Sequence, residues 1–503
     1  MLHFKGGQGG AQNHRAVIIL GSIFLALHIS ACQSAADRQA EEREQLYRTH
    51  FLDAQQQLDI IYDQESDSTY ADRMARRYYE EGGKWVWMGE PGQLELAVVL
   101  DSLMHDRVTG IGFDKEKFCL TAIDSGLTVM RQPNSARGLA VTMAQMEHDL
   151  TKAYLRYTIG ERFGFSTPSK LFGKGCYDVD IEQADSAYVA EAFAQLKSRQ
   201  KMEDFIRAAE PSDSAYQRLK RKLATDSTEA ARNLTLCNME RLRWRDKRQT
   251  RQAERHIFVN VAAQQVWAVG PDSVINMRIA CGKASTKTPL LSSEIRRIEV
   301  NPEWGIPQSI IRGEVSHHAG DSAYFARRNY YITNGSGQRV DPRNLSSAEL
   351  ASGRYAVRQR SGAGNSLGRI IFRFDNKFSV YLHDTSSPSV FKQDSRTVSH
   401  GCVRLQRPFD IAEFVLPQAD EWTLDKMRLS MDLPPKTEQG KEYKRTHSGA
   451  IRLINNTSVE PHVPLIIDYY TLYPNPQTGK LDTWGDPYGY DKIVLKAIKP
   501  YLP

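Results

Sequence analysis

Apolar residues in the first half of the chain recur at the helical period. The clearest stripe has intervals of four and three residues and consists of Leu139, Met143, Met146, Leu150, Ala153 and Tyr157. Such a stripe lines one face of a helix of about five turns. Residues 187–208 and 214–223 also favour helices, because the segment 211–214 between them supplies a breaker and a cap. The pattern therefore predicts a mainly helical first half.

The pattern changes to short β-branched runs near His256. These runs are separated by turn residues and occupy 257–261, 265–269, 277–281, 295–300, 370–374 and 378–383. Runs of this length and composition predict strands, so the second half is expected to be β-rich. The predicted fold class is α+β, with a helical region followed by a β-rich domain.

Alternation along 378–383 predicts which side chains share a face of the sheet. The predicted core face contains Phe378, Val380 and Leu382, and the opposite face contains Ser379, Tyr381 and His383. His383 is thus expected to end a strand on the non-core face, beside Tyr381.

Two longer segments interrupt or follow the strands. About seventy residues separate the strand ending at Val300 from the next strand, which is too many for a simple connection. We therefore predict an inserted flap or capping subdomain at about 308–357. Beyond Leu416 a charged segment leads to further strand-like residues, and 417–503 is predicted to be a C-terminal extension.

The N-terminus carries an export pattern. Basic residues precede a compact apolar run from Ala16 to Ile29, which is too short for a stop-transfer helix. The run ends in Ile29-Ser30-Ala31-Cys32, which resembles a bacterial lipobox and implies cleavage after residue 31 and diacylation of Cys32. A plain signal peptide with a chance cysteine is the alternative. Residues 1–32 are thus a predicted lipoprotein signal, and the polar residues 33–66 are predicted to be a tether that passes into a first helix.

Composition limits the alternatives. A chain of 503 residues is expected to form roughly two to four domains. Its net charge of +6 is small for this length, so no nucleic-acid partner is predicted. If Cys32 is lipidated, the remaining cysteines are odd in number, and at least one of them must be a free thiol: Cys119, Cys176, Cys237, Cys281 and Cys402.

The candidate chemistry lies in His383 and Cys402, which are 19 residues apart. A cysteine attacks as the thiolate and needs a base to take its proton, and histidine is the usual base. Gly401 lets the backbone turn sharply, so that the Cys402 amide and its neighbours can face an oxyanion. A buried, inert cysteine is the main competing interpretation. A metal site from His383, His400 and Cys402 is disfavoured because short-range ligand pairs are lacking, so neither a metal nor another cofactor is predicted.

These residues resemble the catalytic signature of the L,D-transpeptidases, the cysteine enzymes of peptidoglycan cross-linking. The matching motif is a strand-ending His383-Asp384-Thr385 followed by Ser399-His400-Gly401-Cys402-Val403-Arg404. The resemblance extends to the large periplasmic members of the family through three further segments, Asn238 to Trp244, Asn301 to Pro307 and Asp486 to Gly489. The regions around Trp85 and Gly110 resemble the N-terminal scaffold domain of these members. The resemblance implies a scaffold domain at 67–245 and a catalytic domain at 256–503.

The resemblance also implies a role for each motif residue. Cys402 would be the nucleophile and His383 the general base, with His400 and Gly401 shaping the oxyanion site. Ser399 and Arg404 would support the loop, and Tyr381 and Trp304 would line the substrate groove. Thr385 completes the motif.

Two departures from the family pattern stand out. Asp384 replaces a glycine whose carbonyl orients the base, which leaves the role of the Asp384 side chain open. The short run between Leu223 and Asn238 leaves no room for the small peptidoglycan-binding module of the large members.

The implied reaction joins the stem peptides of peptidoglycan by 3-3 cross-links through a Cys402 thioester, in the periplasm, on a lipid-anchored protein. Carbapenems are the implied inhibitors. An L,D-carboxypeptidase, a protein-to-wall ligase and a non-catalytic wall-binding lipoprotein are the alternatives.

Overall fold

The computed structural model describes residues 35–65, 69–90, 92–131 and 138–503. The predicted signal sequence and Cys32 lie outside these residues. In the part of the chain that is described, no helix has both the length and the apolar character needed to cross a bilayer. The chain forms two compact units: the first runs to Thr158 and includes Asp185–Arg207, and the second comprises Ile159–Ala184 and Ala208–Leu502. Residues 208–255, which precede the predicted catalytic domain, lie in the second unit.

The helices of the described chain, in order, are α1 (Ala35–Gln64), α2 (Tyr70–Glu80), α3 (Gln93–Gly110), α4 (Leu120–Arg131), α5 (Leu139–Phe163), α6 (Pro168–Phe172), α7 (Ser186–Ala194), α8 (Arg199–Ala209), α9 (Ser214–Leu223), α10 (Glu229–Arg243), α11 (Gln308–Gly313), α12 (Ser322–Arg327), α13 (Ser347–Ala351), α14 (Pro408–Val415), α15 (Glu421–Ser430), α16 (Glu438–Thr446) and α17 (Tyr490–Ile498).

The strands, in order, are β1 (Tyr177–Asp178), β2 (His256–Asn260), β3 (Gln265–Val269), β4 (Val274–Gly282), β5 (Leu290–Val300), β6 (Trp304–Gly305), β7 (Tyr330–Thr333), β8 (Arg339–Val340), β9 (Ala356–Gln359), β10 (Ile370–Phe374), β11 (Leu382–His383), β12 (Thr397–Ser399), β13 (Val403–Leu405), β14 (Asn456–Asp468), β15 (Leu472–Pro474) and β16 (Leu481–Thr483). The prediction of an α+β fold, helical first and β-rich second, is confirmed.

The first unit is helical, and α1 lies in the segment that was predicted to be a tether passing into a first helix. Residues 35–64 of the predicted tether form a helix, because Tyr47, Ala54, Leu58 and Tyr62 recur at helical spacing within the polar sequence and are all buried. The Tyr62 ring lies 5.1 Å from the His148 ring, measured between centroids.

Glu147 of α5 organises the centre of the first unit. Its carboxylate is fully buried and accepts three successive backbone N–H groups, from Val86 at 2.6 Å, Trp87 at 3.0 Å and Met88 at 2.8 Å. The Tyr79 hydroxyl donates a fourth hydrogen bond at 2.7 Å. Burial raises the pKa of Glu147 to about 7. The Glu147 side chain thus holds residues 86–88, which have no regular secondary structure.

The second unit is built on a ten-stranded sheet of the described residues. β14 pairs with β2 in parallel and with β5 in antiparallel fashion, so the path β5-β10-β11-β13-β4-β3-β2-β14 closes on itself. β14 lies in the predicted C-terminal extension, which is therefore an integral part of the catalytic sheet. The core inside this sheet includes Leu382 and Val403 of the two strands that carry the candidate site.

The segment between β5 and β10 is a small subdomain with its own core. It contains a four-stranded sheet in the order β6-β9-β7-β8 and the helices α11 to α13. Its buried apolar residues form a separate cluster that includes Ile311, Phe325 and Leu350. The predicted inserted subdomain is thus present, and we call residues 304–359 the capping subdomain.

The strand that was predicted at 378–383 is shorter than expected. The side-chain oxygen of Asn376 accepts hydrogen bonds from the backbone N–H groups of Phe378 at 3.0 Å and Val380 at 3.1 Å, and Ser379 has a φ of +55°. This turn ends the extended conformation, so that β11 begins at Leu382. The hydrogen bonds that Asn376 makes within its own turn thus outweigh the strand preference of the alternating sequence.

Candidate active site

Two adjacent parallel strands carry the predicted base and thiol. Leu382 of β11 pairs with Val403 of β13, and His383 pairs with Arg404. Leu382 and Val403 are buried in the core. Because side chains alternate along a strand, Tyr381, His383, Cys402 and Arg404 share the opposite face. The structure therefore brings His383 and Cys402 onto one face of neighbouring strands.

Burial opposes the ionisation of Cys402, and nearby groups favour it. The thiol is half-buried, and burial raises its pKa. A hydrogen bond from the Tyr381 backbone and the positive charges of Arg404 and Arg373 act in the opposite direction. The thiol remains the main species at neutral pH, so its attack requires a proton acceptor.

His383 is suited to be this acceptor. It is 3% exposed, and its Nδ1 lies 2.5 Å from the backbone carbonyl oxygen of Asp384. A carbonyl only accepts, so Nδ1 carries the proton and Nε2 keeps its lone pair. Burial and the charge of Arg404 lower the pKa of His383 to about 4, against the effect of hydrogen bonds to the backbone of Asp384 and Leu367. The imidazole is therefore neutral at physiological pH.

The side chain of Asp384 has a separate structural role. Its Oδ2 accepts a hydrogen bond from the backbone N–H of Arg369 at 2.8 Å. Gly368, with a φ of +65°, packs so closely that an added Cβ would lie 2.4 Å from the Asp384 carboxylate. Burial raises the pKa of Asp384. The carboxylate thus secures the turn before β10, while the backbone carbonyl of the same residue contacts the base. Thr385 follows and accepts from the backbone N–H of Ser387 at 3.1 Å.

Ser399 holds the loop that carries the thiol. Its hydroxyl donates to the Cys402 carbonyl at 2.6 Å and accepts from the backbone N–H of Gly401 at 3.1 Å. Gly401 has a φ of +118°, a conformation that side chains disfavour. Because the Gly401 N–H is already engaged, it is not a free oxyanion donor in this conformation.

Two residues that were not predicted as site residues anchor the same loop. Thr288 donates to the Gly401 carbonyl at 2.8 Å and accepts from the Gly282 N–H at 2.8 Å. The Tyr488 hydroxyl donates to the Gly282 carbonyl at 2.6 Å and accepts from the Thr288 N–H at 3.1 Å. Both residues belong to segments that resemble the family, but their roles depend on contacts across more than a hundred residues.

Two arginines supply positive charge at the thiol. Arg404 is half-buried, and its Nε is buried without a hydrogen-bond partner among the described residues. Burial lowers the pKa of Arg404. The guanidinium of Arg373, from β10, lies 4.3 Å from the centroid of the half-buried Tyr381 ring. The family resemblance implied that Arg404 supports the loop; in addition, its positive charge lowers the pKa of both His383 and Cys402.

A contact between two side chains joins the capping subdomain to the loop that carries Cys402. Glu314, which directly follows α11, lies 2.6 Å from Nε2 of His400. A cavity of about 320 Å³ adjoins this contact; its lining residues are Lys283, Ser285, Thr286, Ser309, Ile310, Gly313, Glu314 and His400. Trp304 lies in β6 and packs, half-buried, on the core of the capping subdomain. No signal in the sequence pointed to Glu314.

Burial disfavours the thiolate form of three of the other described cysteines. All five described cysteines are free thiols, which confirms the prediction of at least one. Burial raises the pKa of Cys119 and Cys237 to about 12 and that of Cys281 to about 11.

Comparison with known proteins agrees with this site. Residues 254–428 match the family model of YkuD, the L,D-transpeptidase catalytic domain, and residues 72–223 match that of the Scaffold domain. A curated protein of Haemophilus influenzae, named "Putative L,D-transpeptidase", is 28% identical over 255 residues, which are 49% of this chain and 48% of the relative. The match therefore spans about half the length of that relative.

A solved structure, that of the Ldtfm-avibactam carbamoyl enzyme, matches 43% of this chain and 49% of its own with 13% identity and a TM-score of 0.19, which is too low to carry any functional conclusion. The two family matches are the informative result, since one covers the helical region and the other includes β11, β13 and Cys402. The chain thus contains a Scaffold domain at residues 72–223 followed by a YkuD domain, the L,D-transpeptidase catalytic domain, at residues 254–428.

Proposed function

We propose that this protein is a peptidoglycan L,D-transpeptidase that forms 3-3 cross-links between stem peptides through a thioester on Cys402. The observation that carries the proposal is the shared face of β11 and β13, on which a neutral imidazole with a free Nε2 accompanies the thiol. The family match to the catalytic domain supports the substrate class.

In the proposed first step, Cys402 attacks the carbonyl of the third, L-centred residue of a donor tetrapeptide stem. Nε2 of His383 takes the thiol proton as the S–C bond forms. The C–N bond to the terminal D-alanine then breaks, and the imidazolium returns its proton to the departing amine. The products of this step are free D-alanine and a thioester.

In the proposed second step, an amine of a second stem attacks the thioester. His383 accepts the amine proton, the new amide bond forms, and the thiol is regenerated. The charges of Arg404 and Arg373 favour the thiolate and the oxyanion of each tetrahedral intermediate. The capping subdomain, in contact with the catalytic loop through Glu314 and His400, would exclude water and favour aminolysis over hydrolysis.

The test is product analysis with purified protein and tetrapeptide muropeptides. The proposal expects 3-3 dimers together with free D-alanine, and neither product from Cys402→Ala. Tripeptide without dimer would instead assign an L,D-carboxypeptidase. No product from folded wild-type protein would favour the wall-binding alternative. Attachment of a protein to the wall, which would use the same thioester, would appear as a protein amine in place of the second stem.

Carbapenem acylation tests the nucleophile separately. A carbapenem offers a strained carbonyl to the same thiol, and we expect one covalent adduct by intact-protein mass spectrometry. The adduct should be absent from Cys402→Ala. An adduct that persists in this variant would place the reactive thiol elsewhere in the chain.

We further propose that the protein is exported and anchored in a membrane facing the periplasm through a diacylated Cys32. The support is the apolar run up to Ile29 and the lipobox-like tetrapeptide. Metabolic labelling with an alkyne fatty acid should mark the wild-type protein and not Cys32→Ala. If neither protein is labelled, the result favours the alternative, a plain signal peptide with a chance cysteine.

A further inference from the structure

A second group of chemically competent side chains lies in the first unit. Asp101 and His105 are one turn apart on α3, and Asp124 lies on α4. One oxygen of each carboxylate and one imidazole nitrogen all lie within 4.8 Å of one another. Among the described residues this is the one group of three histidine, cysteine or acidic side chains with such geometry.

The polar atoms of this group face one another closely, and two of them are buried without a hydrogen-bond partner among the described residues. Nε2 of His105 lies 3.1 Å from Oδ2 of Asp124 and 3.5 Å from Oδ1 of Asp101. Nevertheless, His105 Nε2 and Asp101 Oδ1 are both buried atoms with no hydrogen-bond partner among the described residues. Asp101 is 8% exposed, so that water does not compensate its unpartnered oxygen. Atoms in this situation normally have a partner, because an unsatisfied buried polar group is costly.

The distances fit ligands around one cation. Zinc binds histidine nitrogen and carboxylate oxygen at about 2.0–2.2 Å, which places adjacent ligands about 3.0–3.5 Å apart in tetrahedral or octahedral geometry. The separations of 3.1 and 3.5 Å lie in this range. A hydrogen bond of the same length would require the imidazole N–H to point at the carboxylate oxygen. These contacts do not meet that angular requirement.

Charge also favours a divalent cation over a proton. The group combines two carboxylates with one imidazole, and the side chain of Asp124 is 54% exposed while that of Asp101 is 11% exposed. Apart from the positive charge of Arg131, which also acts on Asp101, a protonated imidazole would offset one of the two negative charges, whereas a dication can bind both carboxylates directly. The exposed side of Asp124 leaves room for water to complete the coordination, as three-ligand sites require.

We propose that Asp101, His105 and Asp124 form a binding site for a divalent transition-metal cation of the zinc class, which links α3 to α4. This site goes beyond the proposed reaction and takes no part in it. Its expected effect is on the stability of the first unit, since a ligand that binds the folded state stabilises it in proportion to the logarithm of its concentration.

The test uses the full chain in a Cys402→Ala background, so that the catalytic thiol cannot hold the metal. After treatment with a chelator and dialysis, Zn²⁺ is titrated by calorimetry, and melting is followed with and without Zn²⁺. We expect one equivalent of Zn²⁺ to bind with micromolar or tighter affinity and to raise the melting temperature. X-ray absorption at the zinc edge should show nitrogen and oxygen neighbours at about 2.0 Å and no sulfur.

The variants His105→Gln and Asp124→Asn should each weaken Zn²⁺ binding at least tenfold and remove the zinc-dependent increase in melting temperature. Asp106→Asn is the matched control, because it removes an exposed carboxylate from the next position of α3. Circular dichroism of the metal-free proteins checks that each variant folds. An absence of zinc-dependent heat in the parent, unchanged binding in both site variants, or sulfur in the zinc environment would overturn the proposal.

Discussion

Nδ1 of His383 lies 2.5 Å from the backbone carbonyl oxygen of Asp384, the residue that follows it in the chain. This contact determines the tautomer, since the carbonyl requires a proton on Nδ1. The contact needs only the backbone of Asp384 and does not depend on its side chain. The backbone performs the orienting role, and the side chain is occupied by the Arg369 N–H at 2.8 Å.

The low pKa of His383 predicts the pH dependence of acylation. Burial and Arg404 lower this pKa to about 4, and the imidazole accepts a proton only above that value. The rate of carbapenem acylation should therefore stay constant as pH falls through 6.5, the usual histidine range, and decrease only near pH 4 to 5. Stopped-flow fluorescence between pH 4 and 8 measures the acylation rate on the acidic side of the pH profile. Loss of activity centred near pH 6.5 would contradict the assignment of His383 as a base with a depressed pKa.

The contact between Glu314 and His400 predicts a role for the capping subdomain in partitioning the thioester. Glu314→Gln removes the charge from this contact, which is 2.6 Å long. We expect a higher ratio of tripeptide to dimer, by roughly threefold to tenfold, because a partly opened cap admits water. The loss of a side-chain contact of about 1 kcal/mol corresponds to this range. The measurement is product analysis by mass spectrometry.

Glu254→Gln provides the control for that experiment, since it removes an exposed carboxylate from the same unit. Its product ratio should equal that of the wild type. If Glu314→Gln behaves like this control, the contact does not influence access of water to the thioester.

The sequence predicted those parts of the site that are close together in the chain. The Ser399-to-Arg404 motif and the strand-ending His383 indicated the thiol, the base and their shared face. Thr288, Tyr488 and Glu314 could not be assigned roles in this way, because each acts through a contact that the closed sheet or the capping subdomain creates. Similarly, the start of α1 could not be predicted within the tether, because its four buried positions are outnumbered by polar residues.

The hydrogen bonds of Thr288 predict that its hydroxyl contributes to the rate of acylation. Thr288→Val keeps the shape but removes the hydroxyl that bonds the Gly401 carbonyl and the Gly282 N–H. Loss of these bonds loosens the loop that carries Cys402, and acylation should slow about tenfold to a hundredfold, corresponding to about 1–3 kcal/mol. Thr288→Ser restores the hydroxyl and should recover most of the rate. If the valine and serine variants react equally fast, the hydroxyl does not position the thiol.

Glu147 predicts a pH-dependent stability of the first unit. Its pKa is raised from 4.5 to about 7 by burial, so the folded state binds a proton that the unfolded state releases between these values. The contribution to stability is complete below pH 4.5 and is lost as pH rises through 7, by about 3 kcal/mol in total. Glu147→Gln cannot titrate, and the difference in the free energy of unfolding between wild type and variant should change by this amount between pH 4.5 and 8. Urea denaturation of both proteins across this range measures the difference. A constant difference would show that the four hydrogen bonds to Glu147 keep its carboxylate ionised in the folded state despite burial.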